Sequence, residues 1–356
     1  MTRRGPRATP LWVRGGAALL VALSVLGLVT ACGKPGRGTG VWADELVSFD
    51  AGGVRIQGTY RHRAGETGPA ALLISESGPT DRDGDNRIAG PVGNMRQLAQ
   101  FLSEHGVATL RYDKVGTGAT GLGRYVTNPT DVGSSVYTDG AKAAVRFLAS
   151  RADTDPGRIG VYALGEGSVH AMQLAGDTTA GAPKIHALGL LQPLHARYLD
   201  LISGRVRTDL AAELKQGTKT KQQADAVLQA WQAAVEQARS TGTAATKLPD
   251  GLGAILNPGN VKAVTEADRV DPLLLASKVP AGTLVLLTCS DSDGQAQCTD
   301  MTALRGALAH TELSFVELTG VNHVLRDDAS DSISNYAHQD PLSPQLTAAL
   351  VTFLAK

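Results

Sequence analysis

The sequence predicts an α/β fold, a mostly parallel central sheet covered by helices on both faces. Three observations predict it. Strand-period and helix-period segments alternate from about residue 41 onward. The segment ALLIS at 71–75 is a continuous apolar run, as expected of a strand buried on both faces. The chain is 42% hydrophobic, so residues 41–356 can bury a full core, and one large domain with an insertion suits that length better than two domains.

The elements follow in order. ELVSFD, the turn AGG and VRIQGTYRHR predict a β-hairpin. After ALLIS, Met95, Leu98, Phe101 and Leu102 recur at helical spacing until Gly106 stops that helix. VATLRYD is the next strand; Ala144, Phe147 and Leu148 mark the next helix; DPGRIGVYAL and HALGLLQ are strands. Far downstream TLVLLTC and ELSFVELTG are strands, and QLTAALVTFLAK is a closing helix. Residues 193–270 interrupt this rhythm. There LISGRVRTDLAAELKQ and TKQQADAVLQAWQAAVEQARS are polar, alanine-rich and helical in period. An insertion between two sheet strands forms a cap above the strand ends, where open α/β sheets bind their ligands.

The N-terminus reads as an export signal. MTRRGPRATPLWVR is a basic head, GGAALLVALSVLGLVT is an apolar run too short for a spanning helix, and Ala31-Cys32 closes it. VTAC resembles a bacterial lipobox, which implies cleavage before Cys32 and acylation of its thiol; a plain signal peptide with a chance cysteine is the alternative. The expected organisation is a lipoprotein signal peptide over 1–31, a glycine-rich tether over 32–40 and one domain over 41–356, with its cap at about 193–270. The expected location is extracytoplasmic, at the bacterial cell membrane, with membrane lipid as the partner of Cys32. In such an oxidising compartment Cys289 and Cys298 are expected to pair as a disulfide rather than to serve as buried small residues. A formal net charge of +0 and the lack of a basic run in the mature part argue against nucleic acid as a partner.

Five strings now resemble a family. SESGPTDRDGDN follows the first buried strand, LRYDKVGTGATG the second and ALGEGS the third, with TCSDSDGQAQC and GVNHVLRD near the end. Together they resemble the α/β-hydrolase fold, and within it the secreted esterase and serine-aminopeptidase-like branch, whose strings run close to GSGPTDRDGN, LRYDKRGxGxS, GHSEGG, G-x-x-D-x-Q-V and GVNH. The resemblance runs from about residue 41 to the end and is weak within the cap. It implies a triad in the chain order nucleophile, acid, histidine. The acid falls on Asp293, with Asp291 as its neighbour and rival, and the imidazole on His323. In a working enzyme such a carboxylate orients the imidazole and stabilises its charged form.

The nucleophile is the exception. RIGVYALGEGS aligns without a gap to RIGVIGHSEGG, with Glu166 and Gly167 both matching, so the serine's place is taken by Gly165. Glycine relaxes the strained elbow conformation. In a serine protease, losing the nucleophile costs about 10⁶ in turnover. A second departure lies in the loop expected to supply oxyanion-hole amides, Glu76-Ser77-Gly78-Pro79, where a carboxylate replaces a glycine. The oxyanion set is then Glu76, Ser77 and Glu166; a negative charge beside a developing oxyanion is the reverse of what stabilises it, the alternative being that Glu76 points away to solvent. Ser168 and Ser77 are the only substitute nucleophiles nearby; neither sits in a second G-x-S-x-G, and backbone capping is the commoner fate of both.

Other signals weigh less. Asp81, Asp83 and Asp85 alternate as in a calcium loop, but Val92 stands where a bidentate glutamate belongs and Asn86 replaces the turn glycine. The remaining histidines show no metal-ligand spacing, GTGATG lacks the P-loop lysine, and no cofactor is expected. Two functions stay open. One is a non-catalytic protein binding a small molecule or peptide in the cleft under the cap. The other is a serine-type ester or amide hydrolase running on a displaced serine with His323 and Asp293; other chemistry on Glu76, Asp293 and His323 is the remainder.

Overall fold

The computed structural model describes residues 40–356. A hairpin of β1 (Ala43–Ala51) and β2 (Val54–His62) opens the domain, followed by β3 (Gly68–Ile74), α1 (Asn94–Glu104), β4 (Ala108–Tyr112) and α2 (Ser134–Ala149). Next come β5 (Thr154–Leu164), α3 (Gly167–Ala175) and β6 (Ala187–Leu191). A helical run follows: α4 (Tyr198–Gln216), α5 (Lys221–Thr241), α6 (Leu252–Ile255), α7 (Val261–Asp268) and α8 (Pro272–Ala276). The chain closes with β7 (Leu284–Ser290), α9 (Thr302–Ala307), β8 (Glu312–Leu318), α10 (Ile333–Tyr336) and α11 (Pro344–Leu354).

The eight strands form one sheet in the order β1-β2-β4-β3-β5-β6-β7-β8, antiparallel at β1/β2 and β2/β4 and parallel from β4 to β8. Strands β3 and β6 and residues 159–164 of β5 are buried almost throughout because helices cover both faces. On one face Leu72, Val161, Leu188 and Val285 pack with Leu148, Ala144 and Met172. On the other, Leu73, Tyr162, Leu191 and Leu286 meet Leu98, Leu102, Leu346 and Leu350.

Helices α4 to α7 build a core of their own around the fully buried Trp231, whose Nε1 donates to Ser203 Oγ at 2.9 Å. Asp268 ties this unit at its base: it accepts from Arg197 Nη2 at 2.9 Å, Arg239 Nε at 2.8 Å and the Leu199 N–H at 2.9 Å. Glu266 on α7 in turn accepts from the Ser135 N–H at 3.2 Å and Ser135 Oγ at 2.9 Å, so it caps the first turn of α2 and fastens the inserted helices to the sheet layer. Cys32, the signal segment and nearly all of the tether lie outside the described residues. Among the described residues no helix is long and apolar enough to cross a membrane.

Candidate functional site

Parallel strands deliver their following loops to one end of the sheet. Four of those loops carry the residues that matter: Glu76 just past β3, Gly165 past β5, Asp293 past β7 and His323 past β8.

The corner between β5 and α3 is a tight strand-to-helix turn. Gly165 has φ 52°, a left-handed conformation that costs a residue with a side chain about 1–3 kcal/mol. Its N–H donates to Leu191 O at 3.1 Å, which pins the turn to β6. Gly167 is held against β3 so closely that a Cβ there would lie 2.8 Å from Ile74 O. This corner has the backbone of a nucleophile elbow, with no side chain to present.

The missing side chain's space is taken by another residue. A Cβ built on Gly165 would fall 1.7 Å from Glu76 Oε2, 2.5 Å from its Cδ and 2.7 Å from its Oε1. The Glu76 carboxylate therefore fills the volume into which a side chain at position 165 would project. It is fixed there by the Ser77 N–H, which donates to Oε1 at 2.6 Å, and by His323 Nε2, 2.7 Å from Oε2. On the other side of the ring, His323 Nδ1 lies 2.8 Å from Asp293 Oδ2. Asp293 Oδ1 accepts from the Gln295 N–H at 2.7 Å, so each polar side-chain atom of this chain of three has a partner.

Electrostatics decide the protonation. Burial opposes a charge on His323, but Asp293 and Glu76 on its two nitrogens outweigh it and hold the imidazole well above its ordinary pKa of 6.5. Burial likewise raises the Glu76 carboxyl, while the charge and hydrogen bond of His323 overcome it and bring it down to about 2. The trio is thus an imidazolium donating to two carboxylates. A ring in that state has no lone pair with which to take a proton from a nucleophile.

Lys114 and Glu166 flank the trio. Lys114 is buried and donates through Nζ to the main-chain carbonyl of Glu76, and its charge lies 5.3 Å from the centre of the Tyr137 ring. Burial lowers the Lys114 ammonium and raises the Glu166 carboxyl, and each partly offsets the other's shift. Sequence reasoning missed Lys114 as a site residue, although it sits inside the string LRYDKVG.

The remaining candidates are placed as follows. Ser168 is fully buried, and its Oγ donates to Gly165 O at 2.6 Å, a helix-turn bond. Ser77 supports Glu76 through its amide. Asp291 accepts from Ser292 Oγ and the Gly320 N–H and does not touch the ring, which leaves Asp293 as its partner. Cys289 and Cys298 are bonded to each other, with Cα atoms 5.0 Å apart, and their loop carries Asp293. Asp83 pairs with Arg96 and Arg111, and Asp81 accepts from the Asp83 and Asp85 N–H groups. Among the described residues no group of histidine, cysteine and carboxylate side chains is arranged to hold a metal ion.

No family model and no curated protein matches the chain. Solved structures do. An esterase from Pyrococcus furiosus is 15% identical, with a TM-score of 0.53 over 89% of this chain and 91% of that one. An α/β hydrolase from a Penicillium species is 15% identical, with a TM-score of 0.54 over 88% of this chain and 98% of that one. A Butyrivibrio proteoclasticus protein bound to ferulic acid is 16% identical, with a TM-score of 0.52 over 87% of this chain and all 100% of that one. At these identities the likeness establishes the fold: the chain has the α/β-hydrolase fold.

Proposed function

We propose that this protein is a silenced serine hydrolase that works as a binding protein. In this reading it is held at the outer face of the cell membrane by a lipid on Cys32 and takes a small molecule or peptide between cap and sheet. One observation carries the reading: the Glu76 carboxylate occupies the space of the absent nucleophile and locks His323 as an imidazolium. The two departures from the family strings are therefore one change in space. Loss of the side chain at 165 opens a hole, and the glutamate gained at 76 fills it. A displaced serine is the weaker reading, because Ser168 Oγ is sealed against Gly165 O and Glu76 already holds the ring nitrogen that would activate it.

Restoration tests this. The full-length natural chain, Gly165→Ser, Glu76→Gly and the double variant are treated with a fluorophosphonate, and the modified residue is located by mass spectrometry. The natural chain is expected to stay unlabelled. Gly165→Ser alone is expected to react poorly, because the new Cβ would sit 1.7 Å from Glu76 Oε2. The double variant is expected to be labelled at position 165 and to gain at least about 10³-fold in turnover of an activated ester. Labelling of the natural chain at Ser168 or Ser77 would overturn the reading.

A further inference from the structure

One residue beyond the elbow's anchor, a second polar group is buried on different terms. Gln192 follows β6 directly and precedes the inserted helices. It is 0% exposed, and neither Nε2 nor Oε1 has a hydrogen-bond partner. Because both atoms are unpartnered, exchanging them by flipping the amide changes nothing. Its backbone is unusual as well: φ is 44°, a left-handed conformation in a residue that is not glycine. Nothing local relieves this, since its N–H is already committed to Thr288 Oγ1 at 3.1 Å. Strained backbone and unpaired buried polar atoms cluster where a protein recognises something. The same short connection, QPLH, ends in His195, whose Nδ1 is also buried without a partner. Burial lowers the His195 imidazole, so it is neutral near pH 7, and its unpartnered Nδ1 can give or accept one hydrogen bond according to tautomer.

We infer that the Gln192 carboxamide, with His195 beside it in the chain, is a recognition site for a ligand carrying a cis amide edge: a primary carboxamide, a lactam or a urea. Gln192 offers a donor and an acceptor side by side. Only a group with a donor and an acceptor on one edge meets both at once. A trans peptide bond presents its N–H and C=O on opposite sides and engages one. An ester lacks the donor. The site adjoins the Glu76–His323–Asp293 cluster but shares no side-chain atom with it, since the cluster's side-chain atoms are all paired with one another or with main-chain amides.

The test uses 2-piperidone, a lactam small enough to enter a closed site, with N-methyl-2-piperidone and δ-valerolactone as isosteres lacking the N–H. Saturation-transfer NMR on the full-length natural chain reads the binding. The lactam is expected to bind with a dissociation constant on the order of millimolar or tighter. Both isosteres, and the lactam on Gln192→Met, are expected to be weaker by about tenfold or more. Gln192→Met and Gln192→Leu remove an unsatisfied buried amide, so at least one of them is expected to raise Tm by about 2–4 °C. Equal binding of lactam and isosteres, no binding of the lactam, or a fall in Tm in both variants would overturn the inference. Fluorophosphonate labelling of the natural chain would leave this result standing, so the two readings fail separately.

Discussion

Two buried polar sites lie side by side at the carboxyl ends of β5 and β6, and they have opposite accounts. At the elbow, three ionisable side chains face each other and each polar side-chain atom is paired within the protein. At the β6 connection a neutral amide is fully buried with no partner for either of its atoms. A buried polar network with all its bonds made stabilises one conformation and leaves nothing for a ligand to complete. An amide with none made leaves a bond that a ligand can supply. In the proposed reading, the difference assigns the Glu76–His323–Asp293 trio a structural part and leaves binding to the unpaired amide beside it.

The largest test of this contrast is His323→Ala. Removing the ring leaves the buried Asp293 carboxylate and the part-buried Glu76 carboxylate without their shared cation, and breaking such a cluster costs about 3 kcal/mol by denaturant titration. Gln192→Met is expected to move stability the other way. A loss under about 1 kcal/mol for His323→Ala would mean that the trio does not hold the elbow together, and the contrast would collapse.

The same trio sets a pH window. The Glu76 carboxyl is depressed from its ordinary 4.5 to about 2, so its contribution is complete above about pH 4.5 and fades as pH falls towards 2. His323 is raised above its ordinary 6.5, so its contribution is complete below about pH 6.5 and is lost as pH rises through the folded value. The stability difference between the natural chain and Glu76→Gln is therefore expected to be greatest between about pH 4.5 and 6.5 and to narrow on the acid side. A difference that is flat across pH 2–8 would show that the carboxylate is not paired with the ring.

The disulfide is the next lever. Cys289 and Cys298 close a short loop around Asp293, and opening a loop of that length costs about 2–3 kcal/mol. Cys298→Ser should lower the urea midpoint by a matching amount. In the double variant Glu76→Gly/Gly165→Ser it should also slow labelling at position 165, because the carboxylate that orients the ring has lost its clasp. An unchanged labelling rate would mean that Asp293 is positioned by Gln295 and His323 alone. Gly165→Ala is expected to cost somewhat less, about 1–3 kcal/mol, from the left-handed φ of 52° and the overlap with Glu76.

Much of this was legible in the sequence, and its limits have physical causes. Continuous apolar runs such as ALLIS and RIGVYAL announce strands buried on both faces, and the ordered strings around Gly165, Asp293 and His323 announce which loops meet. These are local patterns joined by a fixed chain order. The place of Glu76 was not legible, because whether a side chain turns outward or into a neighbour's vacated volume depends on two loops far apart in sequence. Nor was Gln192 readable: HALGLLQ looks like a strand with a polar end, and nothing in those letters specifies a left-handed backbone or an unpaired amide. Lys114 was passed over inside the string LRYDKVG, because its place as a buried charge depends on Glu166 and the Glu76 carbonyl packing around it.

The smallest predicted effect asks whether the two sites can be uncoupled. Glu266 joins the inserted helices to α2 through Ser135, and Lys262 adds an ion pair to Asp131 at 3.1 Å. Both contacts are largely exposed, so Glu266→Ala should cost under about 1 kcal/mol overall. Its local effect should be uneven. Asp268, near the end of the same α7, accepts from Arg197 and Leu199 at the start of α4, so loosening α7 loosens the chain that leaves Gln192. Hydrogen exchange in Glu266→Ala is therefore expected to quicken over 192–200 and to stay unchanged over 321–325, where the His323 N–H is held by Asp331 at 2.8 Å. Equal quickening in both segments would mean that the elbow and the β6 connection open as one unit, and the proposed ligand site could not be moved without disturbing the Glu76–His323–Asp293 trio.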